Sequence, residues 1–393
     1  MSLRRPAVAL LAALAALGCQ ERLASPADCP ELCPGTSPEV SDTVLTAIAD
    51  ADSTYDGYLS LTEVPSLLVS NGLPGREART FIQFPQRGDT IQVSGIPMPY
   101  TVDSVVLSFT LQGRDPAAKS IWLRVHRLRH GLDTTTNFIA VDSQLTAVRV
   151  IDSILVPDTA RAGSTVRLKI PADSLHRITP AEDTGVVAIG LGVSADRATG
   201  LRLAVTPTFI TYARVDVPDT ARQRQSLTLP PAIANYVLQD GEPPAPSDLL
   251  YVGTRRGARS LIRFNVPASW RDSVRILRAT LELTAESPIP GLPGDPASLQ
   301  VGGIVADFGA KSPLIPGLIG VQSVEAGATA VSVDVRQLVT FWFGENPPPA
   351  AVLLRLSPEG GTFTLPRLYS TRGAGPAPQI RVTYARATQP GHP

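Results

Sequence analysis

A seven-residue word occurs twice in this chain, as ARTFIQF from Ala78 to Phe84 and as ARSLIRF from Ala258 to Phe264. Both copies end on Ile and Phe separated by one polar residue: Ile82 and Phe84 flank Gln83, and Ile262 and Phe264 flank Arg263. Period-two alternation of this kind marks a strand with one buried face. The flanking sequence repeats as well. LLVS (Leu67–Ser70) answers LLYVG (Leu249–Gly253), and Val102–Gly113 answers Val274–Glu286. Ser164–Leu175 then pairs with Thr329–Trp342, Gly185–Val193 with Ala350–Pro358, and ITYAR (Ile210–Arg214) with VTYAR (Val382–Arg386). Six blocks in one order establish a tandem duplication. Each copy spans roughly 160 residues, the size of one domain.

Within each copy the alternating stretches are short and broken by Pro, Gly, Asp and Ser, and the chain carries 37 prolines and 31 glycines. That spacing predicts an all-β protein of two tandem jelly-roll-like sandwiches. The expected layout is a signal peptide over 1–18, a tether over 19–48, a first sandwich over 49–214 and a linker over 215–228. A second sandwich over 229–386 and a tail over 387–393 complete it. Charge narrows the function classes. The 35 basic side chains balance 35 acidic ones, which removes the electrostatic footprint of a nucleic-acid binder.

The N-terminus predicts an address in the cell envelope. Arg4 and Arg5 precede AVALLAALAALG, an apolar run too short to span a bilayer and suited to a secretory signal. AALGC, ending at Cys19, resembles a bacterial lipobox. The resemblance implies lipidation of Cys19 and a membrane partner reached through acyl chains. With Gln20 rather than Asp after the cysteine, it also implies anchoring at the outer membrane. Cys29 and Cys33 are the only other thiols. In an oxidising compartment they are expected to close a small disulfide loop, and no further His or Cys lies near enough to complete a metal site.

RSLIRF (Arg259–Phe264), RATLELT (Arg278–Thr284) and LYSTRGAGPAPQIRVTY (Leu368–Tyr384) resemble the DNRLRE-type domain, a family of bacterial extracellular β-sandwich modules. The first copy matches with RTFIQF (Arg79–Phe84), VVLSFTL (Val105–Leu111) and a looser LAVTPTFITY (Leu203–Tyr212). Some members bind carbohydrate, so the resemblance implies a non-catalytic polysaccharide-binding protein. A structural or protein-interaction lipoprotein is the alternative. The chain departs from the family in one respect: the Trp-rich middle segment is missing from His126–Pro157 and Gly302–Thr329.

Sugar rings stack on aromatic side chains, which makes Trp270, Trp342, Tyr58 and Tyr236 the candidate ligand contacts. Trp270 follows Pro267 in a connecting loop, and Trp342 sits between Phe341 and Phe343, where neighbours on a strand face opposite ways. Trp122, among alternating apolar residues, is expected in the core. Tyr236 and Val237 stand where Tyr58 and Leu59 stand in the first copy. Arg79 and Arg259, which open the repeated strand, are expected to fork onto carbonyls or a carboxylate and tie a loop to the sheet. DSTYDGYLSLTE places Asp52, Thr54, Asp56, Ser60 and Glu63 at calcium-loop positions. Pro65 interrupts the outgoing helix that such a loop needs, so a first strand plus loop is the preferred reading. His126 and His130 share one strand face about 13 Å apart, too far for one metal. No nucleophile elbow, HExxH or phosphate loop is present, and neither cofactor nor catalytic residue is expected.

Overall fold

A computed structural model describes residues 40–386, apart from 61–63, 74–75, 130, 179–185, 216–222, 240–245, 254–255, 272 and 345. The leader, Cys19, Cys29, Cys33, Glu63, His130 and the tail lie outside the described residues. The elements begin β1 (Val40–Thr46), β2 (Ser53–Tyr55), β3 (Leu67–Asn71), β4 (Ala78–Phe84), β5 (Thr90–Val93), β6 (Ile96–Arg114) and β7 (Ile121–Arg127). Next come the short helix α1 (Phe138–Asp142), β8 (Val150–Val156), β9 (Thr165–Pro171), β10 (Val187–Ser194), β11 (Thr199–Leu203) and β12 (Thr208–Val215). The second half contains β13 (Gln223–Leu229), β14 (Ile233–Leu238), β15 (Leu249–Tyr251), β16 (Arg259–Arg263), β17 (Val274–Thr284) and β18 (Ala297–Ile304). It ends with β19 (Leu314–Val324), β20 (Ala330–Asp334), α2 (Arg336–Phe341), β21 (Ala351–Ser357), β22 (Arg367–Tyr369) and β23 (Gln379–Arg386).

The fold is all-β and built of sandwiches. One sandwich packs β14-β4-β10-β7-β8 against a second sheet in which β13-β12-β6-β11-β3 run in order and β9 also pairs with β6. The other packs β19-β18-β21-β16-β2 against β1-β23-β17-β20. In both, the opening strand lies beside the last, the order of a jelly roll. Alternation does the sorting. Strand β9, TVRLKIP, buries Val166, Leu168 and Ile170 and exposes every other residue.

The strand pairing corrects the expected boundaries. β1, placed in the tether by its sequence position, pairs with β23 from Val40↔Ala385 to Thr46↔Gln379. β2, expected to open the first sandwich, pairs with β16 of the second. In exchange β13, placed in the linker, pairs with β12, and β14 pairs with β4. Each copy's first two strands therefore complete the other copy's sheets. The physical reason is closure entropy: seven residues separate β12 from β13, so the last strand of the first module forms a hairpin with the next strand in sequence. With β13 in that place, β1 pairs instead with the corresponding edge of β23.

Each module still has its own core. The first cluster, drawn chiefly from residues 64–238, centres on Phe84, Leu107, Phe109, Leu123 and Leu191 and receives Tyr236 and Leu238 from β14. The second centres on Ile262, Leu281, Leu299, Leu354 and Val382 and receives Leu45 from β1. The modules also lock together. Phe363 and Leu292 of the second module are buried in the first module's core. Arg202 grips the Asp295 carboxylate through both Nε (2.8 Å) and Nη2 (2.6 Å). Gly113 is required beneath that pair, because a Cβ there would fall 2.4 Å from the Asp295 carboxylate.

A charge placed at Leu45, which is 3 % exposed, tests the exchange. Leu45→Asp buries a carboxylate in the second core without a partner. In hydrogen-exchange mass spectrometry it is expected to deprotect β23 and β17 while β12 and β6 keep their protection. Loss of protection in β12 rather than β23 would contradict the pairing.

Candidate functional site

The repeated word is a structural device. Its third residue, Thr80 or Ser260, is fully buried and donates its hydroxyl to the preceding strand, at Leu68 O and Tyr251 O respectively, both at 2.8 Å. Its arginine holds loops. Arg79 donates from Nε to Asp142 Oδ1 at 2.7 Å, and from Nη1 to Glu77 Oε2 at 2.8 Å and Ser70 O at 2.6 Å. Its guanidinium sits 5.1 Å from the Phe138 ring centre. Arg259 forks onto Glu359 through Nε (2.7 Å) and Nη2 (2.8 Å). The Glu359 carboxylate raises the arginine's pKa further from the ordinary range.

The aromatics expected to meet ligand are occupied elsewhere. Trp342 is 3 % exposed and lies 6.0 Å from Phe264, ring centre to ring centre. The alternation argument fails because residues 336–341 are the helix α2 and not a strand, so Trp342 turns inward at the helix end. Its indole N–H has no partner, and the burial of a large ring outweighs that loss. Trp270 is half-buried, 4.5 Å from Tyr384 and 5.4 Å from Phe343 between ring centres. Tyr236 is buried in the first core and its hydroxyl accepts from Gly361 N at 3.2 Å. Tyr236 faces Thr80 as Thr54 faces Ser260, so its counterpart in the first copy is Thr54 and not Tyr58. Tyr58 lies under the Arg259 guanidinium, 4.0 Å from ring centre, and its hydroxyl donates to Ala310 O.

The calcium alternative meets the same fate. Ser53–Tyr55 is strand, and Asp52 is buried, accepting from Thr371 N (2.6 Å) and Oγ1 (2.9 Å) and pairing with Arg372 at 3.0 Å. Thr54 hydrogen-bonds Ser260 Oγ at 3.0 Å. Asp56 lies 3.6 Å from Arg256, and Ser60 is exposed. Oxygens committed to separate partners do not form a cation cage.

Trp122, expected in the core, is found 41 % exposed, and Tyr212, Phe308 and Phe341 are exposed on other surfaces. Ile121, Leu123 and Val125 take the inward positions of β7, which leaves Trp122, Arg124 and His126 on the outer face. Register builds the surface from there. Trp122 lies between Ser194 of β10 and Leu155 of β8, and Arg124 lies between Gly192 and Ser153. Half of this outer face is roofed by the connection carrying α1. Its Leu128, Leu132, Phe138 and Val141 bury Phe81, Ala188 and Val237. Asn137 caps α1 by accepting from Ala140 N at 2.9 Å. The roof ends at His126, which is 4 % exposed. Its Nδ1 lies 3.2 Å from Thr146 O, so a neutral ring donates there and leaves Nε2 as an acceptor turned toward Gly192. Burial holds the imidazole below its ordinary pKa of 6.5, and Arg124 and Arg79 push the same way. The outer face thus offers an indole, a guanidinium and two hydroxyls, with His126 buried at its edge over Gly192. That set can stack and hydrogen-bond a ring.

No family model matches the chain, and no curated protein matches it. Among solved structures it is similar at 9 % identity to a cryo-EM structure of broad bean stain virus, over 84 % of this chain and 93 % of that one, with a TM-score of 0.15. A protein named BspA_C_mut is similar at 9 % identity over 84 % and 92 %, with a TM-score of 0.16. Neither likeness carries an argument.

His126 gives a pH test. Its pKa is lowered on folding, so the unfolded chain takes up the proton first and stability falls as pH drops below about 6.5. Above that value the contribution is complete. Melting curves of His126→Gln are expected to lose this part of the acid dependence, and an NMR titration of the wild type should place the imidazole below 6.5. A value above it would refute the assignment.

Proposed function

We propose that this chain is a non-catalytic, lipid-anchored protein of the bacterial cell envelope, related to DNRLRE-type modules, which binds polysaccharide on the outer face of β10, β7 and β8. The observation that carries the reading is Trp122, an indole open to solvent on a sheet face, with Ser194, Ser153 and Arg124 around it. An indole presents a flat apolar surface to the axial C–H face of a sugar, and the flanking groups reach its hydroxyls. The anchor rests on Cys19 in AALGC, which resembles a lipobox, and places the modules at the outer membrane. The non-catalytic reading draws support from Asp52, Asp295 and Glu359, carboxylates each tied to an arginine, and from Asp115, buried and accepting from Ala117 N at 2.8 Å.

A protein-interaction role is the alternative, favoured by Val305, Phe308, Ile319 and Val321, all exposed on and around β18 and β19. Glycan-array binding separates the two. Saturable glycan binding that weakens about tenfold or more in Trp122→Ala, the loss of roughly 1.4 kcal/mol, and persists in Trp270→Ala is the expected result. Glycan binding unaffected by Trp122→Ala would sink the proposed face. No glycan binding, with capture of a protein partner lost in Phe308→Ser, would favour the alternative.

A further inference from the structure

A cleft of about 370 Å³ opens where the two modules meet. Leu73 and Arg76, from the β3–β4 connection of the first module, form one side. Ser287, Pro288 and Pro290, from the β17–β18 connection, and Leu365 and Arg367, leading into β22, form the other. Its size falls within the range of about 300 to 1,000 Å³ typical of small-molecule sites. The lining combines apolar walls with two guanidinium groups, and no Asp or Glu contributes to it among the described residues.

Arg367 is the anomaly. Its Nε is buried and has no hydrogen-bond partner, and among the described residues no carboxylate pairs with the side chain. The Tyr251 ring, 5.6 Å from its guanidinium carbon, is the aromatic face it meets. Other arginines are matched: Arg79, Arg202, Arg259, Arg263 and Arg372 each hold a carboxylate at 3.0 Å or less, and Arg114 donates to the carbonyls of Asp115, Pro157 and Ala118. A second orphan lies close by. Thr364 is 1 % exposed, its Oγ1 has no partner, and it approaches Gly291 on the cleft wall so closely that a Cβ there would stand 3.1 Å away. Arg76 adds a second positive charge, fixed by donation from Nε to Phe363 O (3.1 Å) and from Nη2 to Thr362 O (3.0 Å). Buried donors in folded proteins nearly always have partners. A guanidinium is matched in shape and charge by a carboxylate.

We propose that this inter-module cleft is a binding site for a small organic carboxylate, its acid group on Arg367 and its apolar body against Leu73, Pro290 and Leu365. The site is separate from the Trp122 face and would exist whether or not that face binds glycan. A bound water would leave the charge unmatched, and the apolar walls favour a ligand with a hydrophobic part.

The probes are benzoate and cyclohexanecarboxylate, with benzyl alcohol as the neutral counterpart and inorganic sulfate as the bare oxyanion, titrated calorimetrically into the full chain. Saturable one-to-one binding of a carboxylate is expected, at least about tenfold tighter than the alcohol or sulfate. Arg367→Gln should weaken it about tenfold, Arg367→Lys less, and Trp122→Ala not at all. Melting curves show whether Arg367→Gln remains folded. Ser287→Trp, at an exposed rim position, should block the cleft without touching either core. Absence of carboxylate binding at millimolar concentration overturns the proposal. So does equal binding of the alcohol, equal binding of sulfate, or binding that survives both Arg367→Gln and Ser287→Trp.

Discussion

Each sandwich is closed by strands that belong to the other copy, and the rest of the architecture follows from that exchange. A jelly roll sets its opening strand beside its last one, and that pairing satisfies the backbone donors and acceptors along one side of the last strand. The first module meets this requirement with the nearest strand in sequence, β13, across a short connection. The second meets it with β1, about 340 residues from its partner β23. One pairing is entropically cheap and the other costs more loop closure. The long-range one is supported by strand β2 on the opposite sheet and by Leu45 in the core.

Exchange also explains why the junction is ordered. Strand β14 carries Tyr236 into the first core, and its hydroxyl accepts from the backbone of Gly361 in the second module. Phe363 follows two residues later and fills the first core itself, with Gly200 beneath a ring that would leave 2.7 Å for a Cβ. Arg76 caps the carbonyls on either side of this insertion. Apolar burial of a Phe is worth roughly 1.5–3 kcal/mol, and the hydrogen bonds around it make the contact directional. Two modules joined by a plain linker would move independently. Here the loops interpenetrate, and the cleft beside Arg367 has fixed walls.

Strand positions were legible wherever one face is buried and the other wet. β4, β9, β16 and β23 fall on the alternating blocks, and the two repeated arginines fork as their place at a strand start suggests. Partner choice was not legible. Alternation states which way a side chain points and not which strand lies alongside, so β1 and β13 read as tether and linker. Two site errors have the same root. Trp342 was placed by strand parity, but residues 336–341 have the apolar spacing of a short helix, with Leu338 and Val339 buried. Trp122 was placed by its apolar neighbours, although Ile121 and Leu123 already claim the inward positions and leave the residue between them outside. Reading β7 strictly by period two would have found it.

The duplicated copies differ on the outer faces of their equivalent sheets. In the first module glycines at 190 and 192 of β10 let the α1 roof pack closely, Leu145 and Leu128 filling the space above Gly190 and His126 lying over Gly192. In the second, Leu353 and Arg355 occupy the facing strand β21. Arg355 Nε donates to Gln300 Oε1 at 2.7 Å, and Leu353 is buried with Leu261 and Ile304 beneath Tyr55 and Leu314. One face is covered by the connection carrying α1 and the other is filled by side chains of its own strands. A shared backbone thus supports two ways of covering the same sheet, and the identity of a few residues on the central strand decides which.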